Sequence, residues 1–357
     1  VKAGRTSLEP GDRVLVTRLD YLGDVVLSLP LVDALAARWP GIEIDYLTRS
    51  PAADLLAGET HAGRISRVFT LERGGGFMDS LRLIRALRRR RYRAVIDLYS
   101  NPRSAWLSWF TGARVRVGGD RRGRRHLYTH PMRVGAEVRA ATAHHLSYGA
   151  PLGVKAEATR PVLHIGAEEA EGARAALRAA GVDTGTQRPL VGIHPGGKWS
   201  VKRWPTEKFA GLVSLLRSRM NAEVVVFTGP GEEMHTHALR AAVGDGVHYL
   251  DVMPIRDLAA VVSVLDAMVA CDGGVMHVAV ACGTPTVGIF GSAEPEVWFP
   301  YQGLGPFKAA FKPLPCRPCH RHECPLGHTD CLNGLHADRV FEDVSAVLRS
   351  GEVSGHR

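Results

Sequence analysis

From residue 13 onward, short runs of β-branched and apolar residues alternate with stretches whose apolar positions recur every three to four residues. That alternation is the pattern of parallel strands joined by crossover helices, so the fold class it predicts is α/β. In the first half it predicts strands over 13–19, 43–48, 67–71, 93–99 and 114–118, with helices between them, one over 25–38 and stopped by Trp39-Pro40-Gly41. The rhythm weakens across 161–188, where an Ala- and Glu-rich helical stretch leads into Gly-Val-Asp-Thr-Gly-Thr. It resumes with strands over 190–194, 223–228, 247–250, 267–271 and 285–290. Two domains follow, 1–165 and 166–357, with a final helix over 337–348 that either half could carry.

Composition narrows the partners. The longest apolar stretches, such as 258–265, fall well short of the roughly 18 to 20 residues that a spanning helix needs. The start, Val1-Lys2-Ala3-Gly4-Arg5, has no apolar core of a secretory signal, so a cytoplasmic location is expected. With 45 Lys and Arg against 36 Asp and Glu, the net charge of +9 favours anionic partners or an anionic membrane face. The arginine-rich segments 82–93 and 121–125 are not interleaved with aromatics that would stack bases, which argues against nucleic acid.

Three segments carry chemistry. In Arg18-Leu19-Asp20-Tyr21-Leu22-Gly23-Asp24-Val25-Val26 a strand ends, a glycine permits a tight turn, and an acid stands where a helix begins. Asp24 reads either as a cap of that helix or as a general base exposed at the carboxyl edge of a sheet. The second half opens with His194-Pro195-Gly196-Gly197-Lys198-Trp199-Ser200-Val201-Lys202-Arg203-Trp204-Pro205, where small residues let backbone amides approach a phosphate and Lys202 supplies charge. The alternative is a basic solvated loop ending in Trp204-Pro205 packed at a helix start. In Asp272-Gly273-Gly274-Val275-Met276-His277, a strand, an acid and two glycines precede an apolar helix, an anion site at a helix N-terminus; His277 reads as a phosphate neighbour or as a core histidine. Between them, Glu232 in Gly229-Pro230-Gly231-Glu232 could accept from ribose hydroxyls or complement a helix dipole. The chain contains no G-x-G-x-x-G and no Asp-x-Asp, which disfavours a dinucleotide oxidoreductase and a metal-bridged diphosphate.

Together, Leu-Asp-x-x-Gly-Asp-Val-Val, His-Pro-Gly with Lys-Arg-Trp-Pro, and Asp-Gly-Gly-Val-Met-His-Val-Ala resemble glycosyltransferase family 9, which includes the ADP-heptose:lipopolysaccharide heptosyltransferases. The resemblance runs from about residue 13 to 298 in the same order. It implies a GT-B fold of two Rossmann-like domains with parallel sheets facing a central cleft, the N-terminal one binding acceptor and the C-terminal one nucleotide sugar. It also implies inverting, metal-independent transfer of heptose, or a similar sugar, to an anionic lipopolysaccharide-core acceptor at the inner membrane face. Asp24 then matches the family's base and Lys202 the lysine at the donor phosphates; His194, Gly196, Gly197, Glu232, Asp272, Gly273, Gly274, Val275 and His277 line the donor. Arg103, Arg121 and Arg122 are the acceptor-binding candidates. Two departures stand out: relatives often carry Thr or Ser after the acid where this chain has Gly273, and the acceptor half is unusually rich in arginine. Competing readings are a related transferase with another donor or acceptor, building a surface glycan or modifying a protein, and a nucleotide-sugar binder without turnover.

Cys316, Cys319, Cys324 and Cys331, interleaved with His320, His322 and His328, have spacing that suits one tetrahedral zinc or iron site bracing a loop; reduced thiols are the alternative. No cofactor is expected to serve the transfer itself.

Overall fold

The computed structural model describes residues 7–57, 63–72, 74, 76–157, 159–244 and 246–353; the start read above, Val1 to Arg5, lies outside them. Two compact units result, Val1–His164 and Ile165–Arg357.

The first unit contains β1 (Arg13–Thr17), α1 (Leu22–Arg38), β2 (Glu43–Thr48), α2 (Ala52–Leu56), β3 (Arg67–Thr70) and α3 (Phe77–Arg89). It continues with β4 (Ala94–Asp97), α4 (Pro102–Phe110), β5 (Val115–Gly119), β6 (His130–Met132) and α5 (Ala141–Ser147). Its strands form one sheet in the order β3-β2-β1-β4-β5-β6, every pairing parallel. Parallel strands buried on both faces read as continuous apolar runs, and β4, Ala-Val-Ile-Asp, is buried throughout.

The second unit contains α6 (Ala167–Ala179), β7 (Leu190–His194), α7 (Thr206–Met220), β8 (Glu223–Phe227), α8 (Glu233–Val243), β9 (His248–Leu250) and α9 (Ile255–Ser263). It ends with β10 (Ala267–Cys271), α10 (Gly274–Cys282), β11 (Thr286–Phe290), α11 (Pro295–Trp298), β12 (Phe307–Phe311), α12 (Asp330–Asn333) and α13 (Ala337–Val353). Its sheet, β12-β11-β10-β7-β8-β9, is again wholly parallel. Counted from its first strand, this is the same order as in the first unit, the doubly wound arrangement of a nucleotide-binding sheet. Helix α13 packs on α7 and on the β10–β12 side of this second sheet.

In such a sheet the chain leaves the first strand toward one edge and the fourth toward the other, so a crevice opens beyond their carboxyl ends. In the first unit that switch point lies between β1 and β4, where Thr17 pairs with Asp97. In the second it lies between β7 and β10, where His194 pairs with Ala270. Each of the three sequence segments singled out above begins at one of these strand ends.

Candidate active site

Beyond β1, Arg18 gathers two carboxylates. Its Nη2 donates to Asp24 Oδ1 at 2.6 Å and to Asp20 Oδ2 at 2.8 Å, its Nε lies 2.6 Å from Asp20 Oδ1, and its Nη1 donates to the Leu98 carbonyl at 2.8 Å. Asp24 stands in the first turn of α1, where the helix dipole favours an anion. It does not cap that helix: the N-cap is Tyr21, with no side-chain cap bond, and the helix starts three residues earlier than its apolar pattern suggests. Burial pushes the Asp20 carboxyl up to about 6, against the Arg18 charge and with the neighbouring Asp24 charge. Burial opposes the charge on Arg18, but the two aspartates outweigh it and hold the guanidinium protonated.

His144, on α5, is a member of this neighbourhood that no sequence motif marks. Burial lowers its pKa, and the positive charges of Arg18 and Arg121 lower it further. It is a neutral imidazole beside two arginines. Arg121 and Arg122 are exposed in the turn after β5, while Arg103, at the start of α4, donates to the Ser80 hydroxyl at 3.2 Å. The three acceptor candidates therefore differ: two are free to reach solvent-borne anions, and the third ties α4 to α3.

In the second unit the loop after β7 is anchored by Trp204, whose indole donates to the Leu335 carbonyl at 3.1 Å and whose amide points at Cys271 Sγ, 3.5 Å away. Trp204 thus packs at the start of α7, as one of the two readings of the loop has it, and the short turn Ser200–Lys202 stands just before it. Lys202 Nζ reaches Asp272 Oδ2 at 2.6 Å, just beyond β10. Asp272 is buried, whereas Gly273, Gly274 and Val275 at the start of α10 are half-exposed, and the N-cap Gly273 supplies no side-chain cap. Free amides of an apolar helix thus adjoin a lysine, an arrangement suited to a diphosphate.

Glu232 is held by glycines. A Cβ added at Gly196 or at Gly229 would overlap its carboxylate. Its Oε2 lies 3.1 Å from His194 Nε2. Burial alone would raise the Glu232 pKa, but the His194 hydrogen bond and charge, with the Gly197 amide, bring it below the usual value. Gly196, after β7, and Gly229, after β8, therefore have a packing reason to lack a side chain.

His277 departs from the phosphate role. Its Nδ1 lies 3.0 Å from the Tyr301 hydroxyl, and burial, reinforced by the charge of Lys202, pushes its pKa down to about 3. It is a neutral core histidine one turn into α10. A groove of about 840 Å³ in this unit, lined by Arg188, Arg217, Glu223 and His248, opens at the amino-terminal edge of the sheet and contains none of the site residues.

The cysteines are spread in their exposure: Cys316 is exposed, Cys319 and Cys324 are half-buried, and Cys331 is buried. Among the described residues no group of three or more His, Cys, Asp or Glu side chains is drawn together as metal ligands. The four thiols are nevertheless near enough to act on one another: burial raises the Cys331 pKa, and Cys319, Cys324 and Cys316 raise it further against the charge of Arg317. The segment also clamps the loop after β7. The His322 ring stacks on Trp199 with centroids 4.1 Å apart and planes 4° from parallel, and Lys198 and Lys202 Nζ lie 5.3 and 5.1 Å from the same indole. The Cys319 amide donates to the Ser292 carbonyl, and Arg317 donates to that of Ala293, which tie the segment to the turn after β11.

Two doubly wound parallel sheets, with an arginine-held carboxylate on one and a lysine at a helix N-terminus on the other, are the parts of a glycosyltransferase of the GT-B class. The profile of glycosyltransferase family 9 (heptosyltransferase) matches residues 80–329, and the chain belongs to that family. It is 25% identical to lipopolysaccharide heptosyltransferase 1 of Pseudomonas aeruginosa over 95% of this chain and 99% of that one. Among solved structures it resembles the E. coli ADP-heptose lps heptosyltransferase II, with a TM-score of 0.80 and 21% identity over 95% of this chain and 99% of that one. It also resembles a family 9 glycosyl transferase from Veillonella parvula, with a TM-score of 0.82 and 21% identity over 96% and 99%. Among the described residues, no helix is long and apolar enough to cross a membrane.

Proposed function

We propose that this enzyme transfers heptose from ADP-heptose to an anionic acceptor of the lipopolysaccharide-core kind, by one inverting displacement. Asp24 takes the proton from an acceptor hydroxyl as that oxygen bonds to the anomeric carbon of the donor. The bond from that carbon to the β-phosphate oxygen breaks, its electron pair stays with the departing ADP, and the proton later passes from Asp24 to water. Lys202 and the amides at Gly273, Gly274 and Val275 stabilise charge growing on the diphosphate, and Glu232 accepts from the ribose. In this reading the first unit binds acceptor, with Arg121 and Arg122 meeting its negative groups, and the second binds donor.

The observation that supports the proposal is Lys202, held against Asp272 at 2.6 Å beside the N-terminus of α10, where an ammonium and helix amides stand together for a diphosphate. The cysteines supply soft donors of the kind zinc or iron takes, and any such ion would brace the loop that carries His322 and would take no part in transfer. A membrane-borne acceptor would put the work at the cytoplasmic face of the inner membrane.

A second reading has a specific observation behind it. Gly273 supplies no hydroxyl after Asp272, so one side-chain contact to the donor is missing, and a different nucleotide sugar would suit the same machinery. ADP release from ADP-heptose with a Kdo-bearing lipid acceptor, compared between the wild type and Asp24→Ala, tests the first reading. Release that requires acceptor and vanishes in the variant, while donor binding survives, supports it. Release with another nucleotide sugar only would keep the mechanism and remove heptose.

A further inference from the structure

Helices α3 and α4 lie side by side on the first sheet. Leu83 and Ile84 of α3 pack in one apolar cluster with Leu87 and with Leu107 of α4, and Arg103 of α4 donates to Ser80 of α3. With those faces turned inward, the outward faces carry an unusual combination. On α4, Trp106, Trp109 and Phe110 stand at i, i+3 and i+4, and their rings contact one another at centroid distances of 5.2 to 5.8 Å. Trp106 is 49% exposed and Trp109 is 46% exposed. On α3, Arg82, Arg85, Arg88 and Arg89 are exposed against a single acid, Asp79, and the helix begins with Phe77 and Met78, 80% and 54% exposed.

We propose that this face, the indoles of α4 beside the arginine comb of α3, is a docking surface for an anionic lipid bilayer. Indoles favour the boundary between headgroups and acyl chains because each ring is apolar over most of its area and polar at one nitrogen. Arginines next to them add attraction to anionic headgroups. Leaving two indoles half in water costs free energy, and an isolated soluble chain gains nothing from it. A second copy of the chain is a poorer occupant. A two-fold contact through the tryptophans would bring two arginine combs together, and like charges at an interface oppose association. A bilayer carrying negative headgroups complements both halves of the patch.

The proposal goes beyond the transfer reading and stands apart from it, because the test needs neither donor nor acceptor. Full-length protein is mixed with vesicles of phosphatidylethanolamine and phosphatidylglycerol, or of phosphatidylcholine alone, and sedimented. The expected result is binding to the anionic vesicles that weakens as salt rises, little binding to the neutral ones, and a loss of about tenfold or more in apparent affinity in Trp106→Ala/Trp109→Ala and separately in Arg82→Glu/Arg85→Glu. The tryptophan variant should keep its thermal melt and its rate of ADP release with a water-soluble acceptor fragment. Equal vesicle binding by the wild type and both variants overturns the proposal. So does sedimentation velocity showing a dimer that the tryptophan variant loses, which would assign the patch to a second copy of the chain.

Discussion

A single guanidinium, that of Arg18, is shared by Asp24 at 2.6 Å and Asp20 at 2.8 Å. One positive charge therefore faces two carboxylates. Burial leaves Asp20 with its pKa near 6, and Asp24 stands in the first turn of α1. Replacing Asp24 with Asn keeps the shape and removes the base. ADP release should fall about 100- to 10,000-fold, with donor affinity by calorimetry changed little. A rate within a few-fold of the wild type would remove Asp24 from the chemistry.

The raised pKa of Asp20 also makes stability depend on pH. Its folded value, about 6, lies above the usual 3.8, so the folded state holds this proton more tightly. The associated stabilisation is present below about pH 4 and is lost as pH rises through 6. Across that window the contribution is on the order of 1–3 kcal/mol. Urea denaturation between pH 4 and 8 should show this fall in the wild type and a flatter profile in Asp20→Asn. Identical slopes in the two proteins would mean that Asp20 does not titrate there.

Lys202→Met removes the cation paired with buried Asp272. Donor turnover should drop about 100-fold, the scale for losing one preorganised group at a developing anion. Stability should also fall by about 3 kcal/mol, because a buried carboxylate loses its partner. Thermal melts with and without ADP separate the two effects: ADP should stabilise the wild type much more than the variant.

What could be read in the chain, and what could not, follows from where information is local. Strands such as Ala267–Cys271 and Leu190–His194 are buried at every residue, and their apolar runs give them away. The edge strands β6 and β12 escaped: His-Pro-Met contains a proline tolerated only at an edge, and Phe-Lys-Ala-Ala-Phe breaks its apolar run with an exposed lysine. The placement of Asp24 and Lys202 beyond strand ends was legible because a strand followed by small and charged residues is a local pattern. The Arg18 bridge, the neutral state of His144 and the Trp199–His322 stack were not, since each depends on side chains brought together by tertiary packing. His277 shows the same limit from the other side: its burial and its contact with Tyr301, further along the chain, come from tertiary packing.

Gly196 and Gly197 are adjacent yet should differ on substitution. A methyl at Gly196 overlaps the Glu232 carboxylate, whereas at Gly197 the nearest atom is Arg203 Cγ, 3.1 Å away on a flexible side chain. Gly196→Ala should push Glu232 off His194 and raise the KM for donor about tenfold with kcat less affected, a loss near 1.4 kcal/mol. Gly197→Ala should stay within about threefold of the wild type. Equal effects at both positions would argue that backbone flexibility, and not the seat of Glu232, is what these glycines provide.

The stack of His322 on Trp199 joins the cysteine-rich segment to the loop that carries Lys202. If the stack positions that loop, its two members should act as one unit. Trp199→Ala and His322→Ala should each raise the KM for donor by a similar factor, and the double variant should be little worse than either alone, with a coupling of about 0.5–1.5 kcal/mol. His322→Phe, which keeps a flat ring and removes the nitrogens, should restore most of the affinity, because the 4° interplanar angle is that of ring-on-ring contact and not of a hydrogen bond. Additive losses, or no rescue by Phe, would mean that the segment supports the fold without setting the position of Lys202. The same variants bear on the cysteines. If Cys316→Ser or Cys324→Ser leaves donor KM unchanged while His322→Ala raises it, the clamp is the imidazole itself, and the thiols matter only for how the segment is held.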